Sequence, residues 1–375
     1  MCRVAVTLLL DPPGAGCVLV RQSPLAELCA CLHALDEPGH HPASAGYVAR
    51  THAVLDSGLL ATAAAWAPLW GAFRARYLLP VSAGPRRTLA GELREVAALP
   101  IGDFTAMTVQ ALIGKNDTDL GPELSDEVLH RLRLISTSRM EIGARLRADP
   151  EGFRGELLGF LADFAAVAFD EEWPALRPVL DRDAALRERE LRRRGALALA
   201  GFPTASAPPD GPMSGPVSGQ VNGQANGRPL RIVFDKLYNA TARVDADRPC
   251  LIVPTVHGRP HFVIKHFPGY PVVIQYGADD GGPATPSLEA ARRRLAALQD
   301  PTRLRLCYAI LRNPVATAEL ATQLGMTAPQ VSRHLRRLRE AQLVHTHRRG
   351  SVVYYQLDAE AIERLGPDLL SVLYR

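Results

Sequence analysis

Residues 317–340 constrain the fold of this chain more than any other stretch. The run 317–324 has the spacing of a short helix and ends at Gly325, the residue type that closes helices in the left-handed conformation. Met326 and Thr327 make a turn. Thr327, with Gln330 three residues on, has the capping-box spacing that opens a second helix. Pro329 falls inside its first turn, where a missing N–H costs little. At about 100° per residue, Val331, Leu335 and Leu338 share one face of that helix. Pro329, Gln330, Arg333, Arg336 and Arg337 fall opposite, with Ser332 and His334 on the flanks. The apolar face must be buried and the basic face held out. Short helix, glycine turn and basic-faced helix make a helix-turn-helix pattern.

The outward side chains suit the major groove. Arginine can donate two hydrogen bonds to guanine, glutamine can pair with adenine, and Ala328 and Pro329 can pack on a thymine methyl. Two alternating runs follow, 343–347 and 351–357, joined by Arg348-Arg349-Gly350. A basic hairpin after such a helix is a wing placed to meet phosphates or the minor groove. The candidate DNA-contacting residues are therefore Thr327, Ala328, Gln330, Ser332, Arg333, Arg336, Arg337, Arg348 and Arg349. Charge agrees with this placement. The whole chain carries only +4, yet residues 284–375 hold 14 Arg and no Lys against 8 acidic residues, a local +6. Helices expected at 287–299, 358–365 and 368–373 carry Leu295, Leu298, Ile362, Leu365, Leu369 and Leu370, which offer a dimer interface.

The last ninety or so residues resemble the ArsR/SmtB family of winged-helix repressors. Four pieces carry the resemblance, in order: Asp300-Pro301-Thr302-Arg303-Leu304; Glu319-Leu320-Ala321; Val331-Ser332-Arg333-His334-Leu335 with Leu338-Arg339-Glu340-Ala341; and Arg349-Gly350-Ser351 running into Tyr354-Tyr355-Gln356-Leu357. The resemblance implies a homodimer on double-stranded operator DNA, with Ser332 and Arg333 at base-contacting positions, acting as a repressor. It departs from the metal-sensing members. Where those have a Cys-x-Cys pair stand Ala316 and Ala318, no His follows His347, and Cys307 is alone on its helix. No metal and no cofactor is therefore expected. The long upstream region is similar to regulators of high-GC Gram-positive bacteria in which a domain of unknown function precedes such a head. That likeness rests on residues 23–35 and on Val253-Pro254 with Pro260-His261.

The fold class expected is multidomain and mainly α: a helical N-terminal region over 1–202, a flexible linker over 203–229, a small antiparallel β segment over 230–280 and an α+β winged helix-turn-helix over 281–375. Ser23 and Pro24 cap a helix carrying Leu25, Leu28, Leu32 and Leu35 at helical spacing. Further helices are expected at 57–77, 88–98, 103–113, 125–146 and 153–169, with Pro68 kinking or splitting the first. The interleaved charges of 181–194 read as a solvated helix face. The linker has a glycine every four residues from Gly211 to Gly227 and too little apolar surface to fold; as a coil it spans about 30 Å. Residues 4–10 make a poor signal h-region, and no uncharged run reaches the about 20 apolar residues a membrane span needs. With six scattered cysteines, this points to a reduced, cytoplasmic protein.

The other chemistry-bearing residues have ordinary readings. On a helix Cys29, Cys31 and His33 point apart, so a shared metal is not expected. His257, His261 and His266 are read as structural, and His40-His41 as a solvated loop pair. Trp66, Trp70, Phe73 and Tyr77 form a stripe read as core. His345 and His347 share one strand face. No nucleophile elbow, phosphate loop, HExxH or dinucleotide fingerprint occurs, so no enzyme is expected. The expected function is a homodimeric, sequence-specific DNA-binding regulator with a small-molecule effector and no membrane partner. The alternative is an effector-responsive or protein-docking regulator, or an enzyme, whose winged helix serves only for interaction.

Overall fold

A computed structural model describes residues 5–11, 16–71, 73–85, 87–114, 124–202, 205–206, 229–236, 238–278 and 288–373. The linker 203–229, apart from 205, 206 and 229, lies outside them. The chain separates into two compact units at residue 282. In the first, β1 (Ala5–Leu10) and β2 (Val18–Val20) precede the helices α1 (Pro24–Asp36), α2 (Ala45–Val54), α3 (Ser57–Trp66), α4 (Leu89–Ala97), α5 (Ile101–Ile113), α6 (Asp126–Ile135), α7 (Thr137–Ala148), α8 (Pro150–Ala168) and α9 (Glu172–Arg194). The strands β3 (Ala205–Ser206), β4 (Leu230–Asp235), β5 (Ala240–Val244), β6 (Cys250–Thr255), β7 (Val263–Lys265) and β8 (Val272–Gly277) follow.

Helix α1 is the centre of this unit. Ser23 caps it, its Oγ accepting from Ala26 N at 3.0 Å, and residues 24–35 are buried on every side, as befits a helix surrounded by its own fold. Around it lie Phe104 of α5 and Phe153, Leu157, Leu161 and Phe164 of α8. Helix α3 stops at Trp66 and Pro68 begins a tight turn, so the aromatic stripe is not helical. Trp66, Trp70 and Tyr77 still reach the core, Trp70 stacking on Phe160 with centroids 5.9 Å apart. Phe73 packs near Tyr238 instead. The single helix expected over 125–146 is two, broken at Ser136, whose backbone is extended (φ −167°) and whose Oγ lies 2.8 Å from Ser138 Oγ.

The β segment differs from its expected form. It is not a separate antiparallel sheet. Its strands join the first residues of the chain in two sheets, ordered β3-β4-β1-β5 and β2-β6-β8-β7. Strand β1 runs antiparallel to β4, with Leu8 opposite Ile232, and parallel to β5. Strands β2, β6 and β8 are mutually parallel and only β7 is antiparallel. The reason is visible in burial: Val6, Leu8 and Leu10 alternate into the core, while β6 and all of β8 but its last residue are buried throughout, as parallel strands covered on both faces must be. Residues 181–194 are also less solvated than expected. Asp183 is 1% exposed and accepts a hydrogen bond from Tyr276 Oη, and Arg187 lies over the Phe202 and Tyr276 rings.

The second unit comprises α10 (Leu288–Leu298), α11 (Pro301–Ala309), β9 (Val315–Ala316), α12 (Thr317–Leu324), α13 (Ala328–Glu340), β10 (Val344–Arg349), β11 (Val352–Leu357), α14 (Ala359–Glu363) and α15 (Leu365–Leu373). Asp300 caps α11 by accepting from the Thr302 and Arg303 amides. Val331, Leu335 and Leu338, each 0% exposed, meet Leu306, Ile310, Leu320 and Leu343 in a core of its own. Among the described residues no single helix is long and apolar enough to cross a membrane; α4 and α5 pass only as a pair bent by 107°.

Candidate nucleic-acid interface

The turn between α12 and α13 is set by Gly325, whose φ of +63° is left-handed and closes α12. Thr327 and Gln330 then form the expected capping box, with the Thr327 amide and hydroxyl 2.9 and 3.0 Å from Gln330 Oε1. This ties up the oxygen that a bidentate pairing with adenine would use, and leaves Gln330 its NH₂ group. Sequence spacing reveals the box but not this conflict.

Along α13 the charge faces out. Thr327, Ala328, Gln330, Ser332, Arg333, Arg336 and Arg337 are all exposed. Arg333 makes no ion pair or hydrogen bond among the described residues. Arg336 and Arg337 share Glu340 at 3.7 and 3.6 Å, with both side chains more than half exposed, so these pairs hold the arginines only weakly. Gln330, Arg333, Arg336 and Arg337 line a hollow of about 340 Å³ with Arg303. Arg303 itself is spoken for: its guanidinium donates to the Ala296 and Ala297 carbonyls at the end of α10. The wing follows on a three-stranded sheet, β10-β11-β9, with pairing from Val344–Leu357 to Arg349–Val352. Gly350 (φ +60°) turns its tip. Arg348 and Arg349 are exposed there; Arg348 Nε donates to Gly350 O at 3.2 Å, and Arg349 lies 5.9 Å from the Tyr354 ring centroid. The structure thus brings the seven helix residues onto one outward surface and sets the two wing arginines at the hairpin tip. Strand β9, which anchors the wing through Tyr354 and Tyr355, is too short for a sequence pattern to show.

A family model described as a family of unknown function (DUF5937) matches residues 10–282. The chain belongs to this family. A second model, described as bacterial regulatory protein, arsR family, matches residues 300–346, so this DUF5937 chain carries an ArsR-type winged helix-turn-helix in its C-terminal unit. The relatives lie in the same region. The regulator KmtR of Mycobacterium tuberculosis is 40% identical over 68 residues, 18% of this chain and 52% of KmtR. The match thus spans about half of that relative's length. The regulator Rv2034 of the same organism is 38% identical over 77 residues, 20% of this chain and 72% of its own. The solution structure of the homodimeric winged helix-turn-helix DNA-binding domain Mb0332 from Mycobacterium bovis is 29% identical, covering 23% of this chain and 79% of that one, with a TM-score of 0.20.

The positions where the resemblance would place metal-binding cysteines are Ala316, half-buried at the N-cap of α12, and Ala318. Cys307 is 6% exposed, and burial pushes its thiol up to about 11, away from the thiolate that binds metal.

In the DUF5937 unit the cysteines of α1 point apart, as helical geometry requires. Both are 0% exposed, and burial pushes the Cys29 thiol up to about 12 and holds that of Cys31 well above its ordinary range. The three histidines read as structural divide. His257 Nδ1 lies 3.0 Å from Ser44 Oγ and its Nε2 3.3 Å from Glu172 Oε1, while Glu27 accepts from the Val256 and His257 amides. Serine, histidine and glutamate in a row have the residue types of a nucleophilic triad, but Ser44 is 2% exposed, so this array lies in the interior. His261 instead meets His33. The expectation for His40 and His41 fails: His41 is 0% exposed and His40 half-buried, because tight turns at Pro38–His40 and Pro42–Ser44 fold the loop back on α1. An open cavity of about 850 Å³ lies elsewhere in this unit, lined by Arg21, Arg87, Arg177, Phe169, Trp173 and Glu188 among others.

Proposed function

We propose that this chain is a transcriptional regulator that reads operator DNA through α13 and acts as a homodimeric repressor. The observation that carries the reading is the outward face of α13: among the described residues Arg333 stands without a partner between Ser332 and the loosely held Arg336 and Arg337. Arg348 and Arg349 on the wing supply phosphate contacts. The dimer is supported by Leu295 of α10 and Leu370 of α15, which stay 40% and 46% exposed on two helices that pack together. The test is binding of the full chain to DNA from its own upstream region, over a salt series and with competitor. Arg333→Ala should cost about 1–3 kcal/mol and relax specificity at one base position. Unchanged affinity and selectivity would show that this face does not read bases.

A second reading concerns the upstream unit. The 850 Å³ cavity is of the size that holds a small molecule, and both charge signs beside Phe169 and Trp173 suit a charged ligand with an apolar body. A ligand found by quenching of tryptophan emission should change operator affinity of the full chain. If bound ligand leaves that affinity unchanged, the cavity does not control DNA binding.

A further inference from the structure

Four histidines from two distant parts of the DUF5937 unit converge. His33 comes from the end of α1, His40 and His41 from the turns after it, and His261 from the segment between β6 and β7. His33 Nε2 and His261 Nε2 are 3.2 Å apart, across a sequence separation of 228. One ligand atom each from His33, His40 and His261 lies within 4.8 Å of the others. The His41 ring centroid is 4.8 Å from that of His33 and 4.9 Å from that of His261.

The pair distance is informative. Two nitrogens on one tetrahedral zinc-sized ion, at about 2.0–2.1 Å each, stand about 3.3 Å apart. His41 Nδ1 lies 2.5 Å from the Arg259 carbonyl. Acceptors of this kind fix the ring and its tautomer around bound metals. His41 Nε2 is then a lone pair; it is buried and has no hydrogen-bond partner among the described residues. The charges around the cluster are Asp36 and Glu37 beside His33 and the buried Arg74 guanidinium, so carboxylates are at hand to balance a cation.

We propose that His33, His40 and His261, with the His41 ring packed against them, form a binding site for a divalent ion of the zinc, cobalt or nickel class. Imidazole donors favour these ions over magnesium or calcium. The site is independent of the DNA-reading proposal and shares no residue with the winged helix.

The test is a titration of the full chain, stripped with chelator, with Co²⁺, followed by its visible absorption and by displacement with Zn²⁺. One equivalent of Co²⁺ should bind with the intense bands of a four-coordinate site. His40→Ala, at a half-buried position, and His261→Gln should each weaken binding at least about tenfold, the loss typical even of outer-shell changes. His52→Ala, an exposed histidine on α2, should not, and circular dichroism reports that each variant is folded. Absence of stoichiometric Co²⁺ binding, or binding unchanged in folded His40→Ala and His261→Gln, would overturn the site.

Discussion

Arginine does opposite things on α13 and at Arg74 and Arg76. In the C-terminal unit the arginines of α13 and the wing lie on the surface with loose partners or none. In the N-terminal unit the guanidinium groups of Arg74 and Arg76 are 4% and 2% exposed. Arg74 donates to Gln275 Oε1 and Arg76 to the Pro271 carbonyl, each at 2.5 Å, which ties the helical layer to β8. Lys236 and Lys265 are buried in the same unit, and burial holds Lys265 well below its ordinary range. Charge that fastens elements together cannot be offered to a phosphate. Charge left without a partner at the surface can be, and it costs the fold little to remove.

That contrast has consequences of different size. The largest falls on Arg87, whose side chain is 2% exposed and bonds Glu92 and Glu95 at 2.6 Å each. Arg87→Ala leaves Glu92 buried and unpaired, and should cost about 3–5 kcal/mol. The three tryptophans, Trp66, Trp70 and Trp173, all lie in the N-terminal unit, so a denaturant titration followed by tryptophan emission isolates this effect. A loss below 1 kcal/mol would show that the buried network is not what fastens the unit.

Next comes acid. His33 and His41 titrate in the folded unit at about 2 and about 4, against 6.5 for an unperturbed histidine. As pH falls below 6.5 the unfolded chain takes up protons that the folded unit refuses. Their stabilisation is present above that pH and is lost as pH falls toward 4, by up to about 1.4 kcal/mol per histidine and pH unit. The tryptophan-monitored midpoint, measured with chelator present, should be lower at pH 5 than at pH 7.5; equal midpoints would contradict neutral burial of the pair.

The smallest effect belongs to the wing. Arg348→Ala should weaken DNA binding alike on all sequences and lower the salt slope by about one, without moving the folding midpoint. A sequence-dependent loss would make Arg348 a base reader.

Legibility in the sequence divides along the same line. In the C-terminal unit the capping box, the glycine at Gly325 and the apolar positions of α13 are set by spacings of three and four residues, which a sequence displays. In the N-terminal unit the N-cap of α1 is legible for the same reason; Trp66 and Trp70 do reach the core, but not through helical spacing, since α3 ends at Trp66. The sheets were not legible, because Ala5–Leu10 pairs with Leu230–Asp235 and no local period connects them. The histidine cluster was hidden likewise: His33 and His261 are each unremarkable in their own segment, and the loop with His40 and His41 looks polar until it folds onto α1. Gln330 shows a subtler limit. Its two roles, capping the helix and pairing with a base, both fit its position, and only the geometry shows that its oxygen serves the cap.

Strand β1 pairs with partners that begin at residue 230, and β2 with one at residue 250. During synthesis, at about 5–20 residues per second, the first strand must wait about 10–50 s for its neighbour to be made. Helices α1 to α9 can form and begin to pack in that interval, since their shared core lies within residues already made. The sheet of β1 can close once β5 is made at residue 244, but that of β2 closes only when the ribosome has passed β8, so a nascent chain halted between the two exposes unpaired apolar edges.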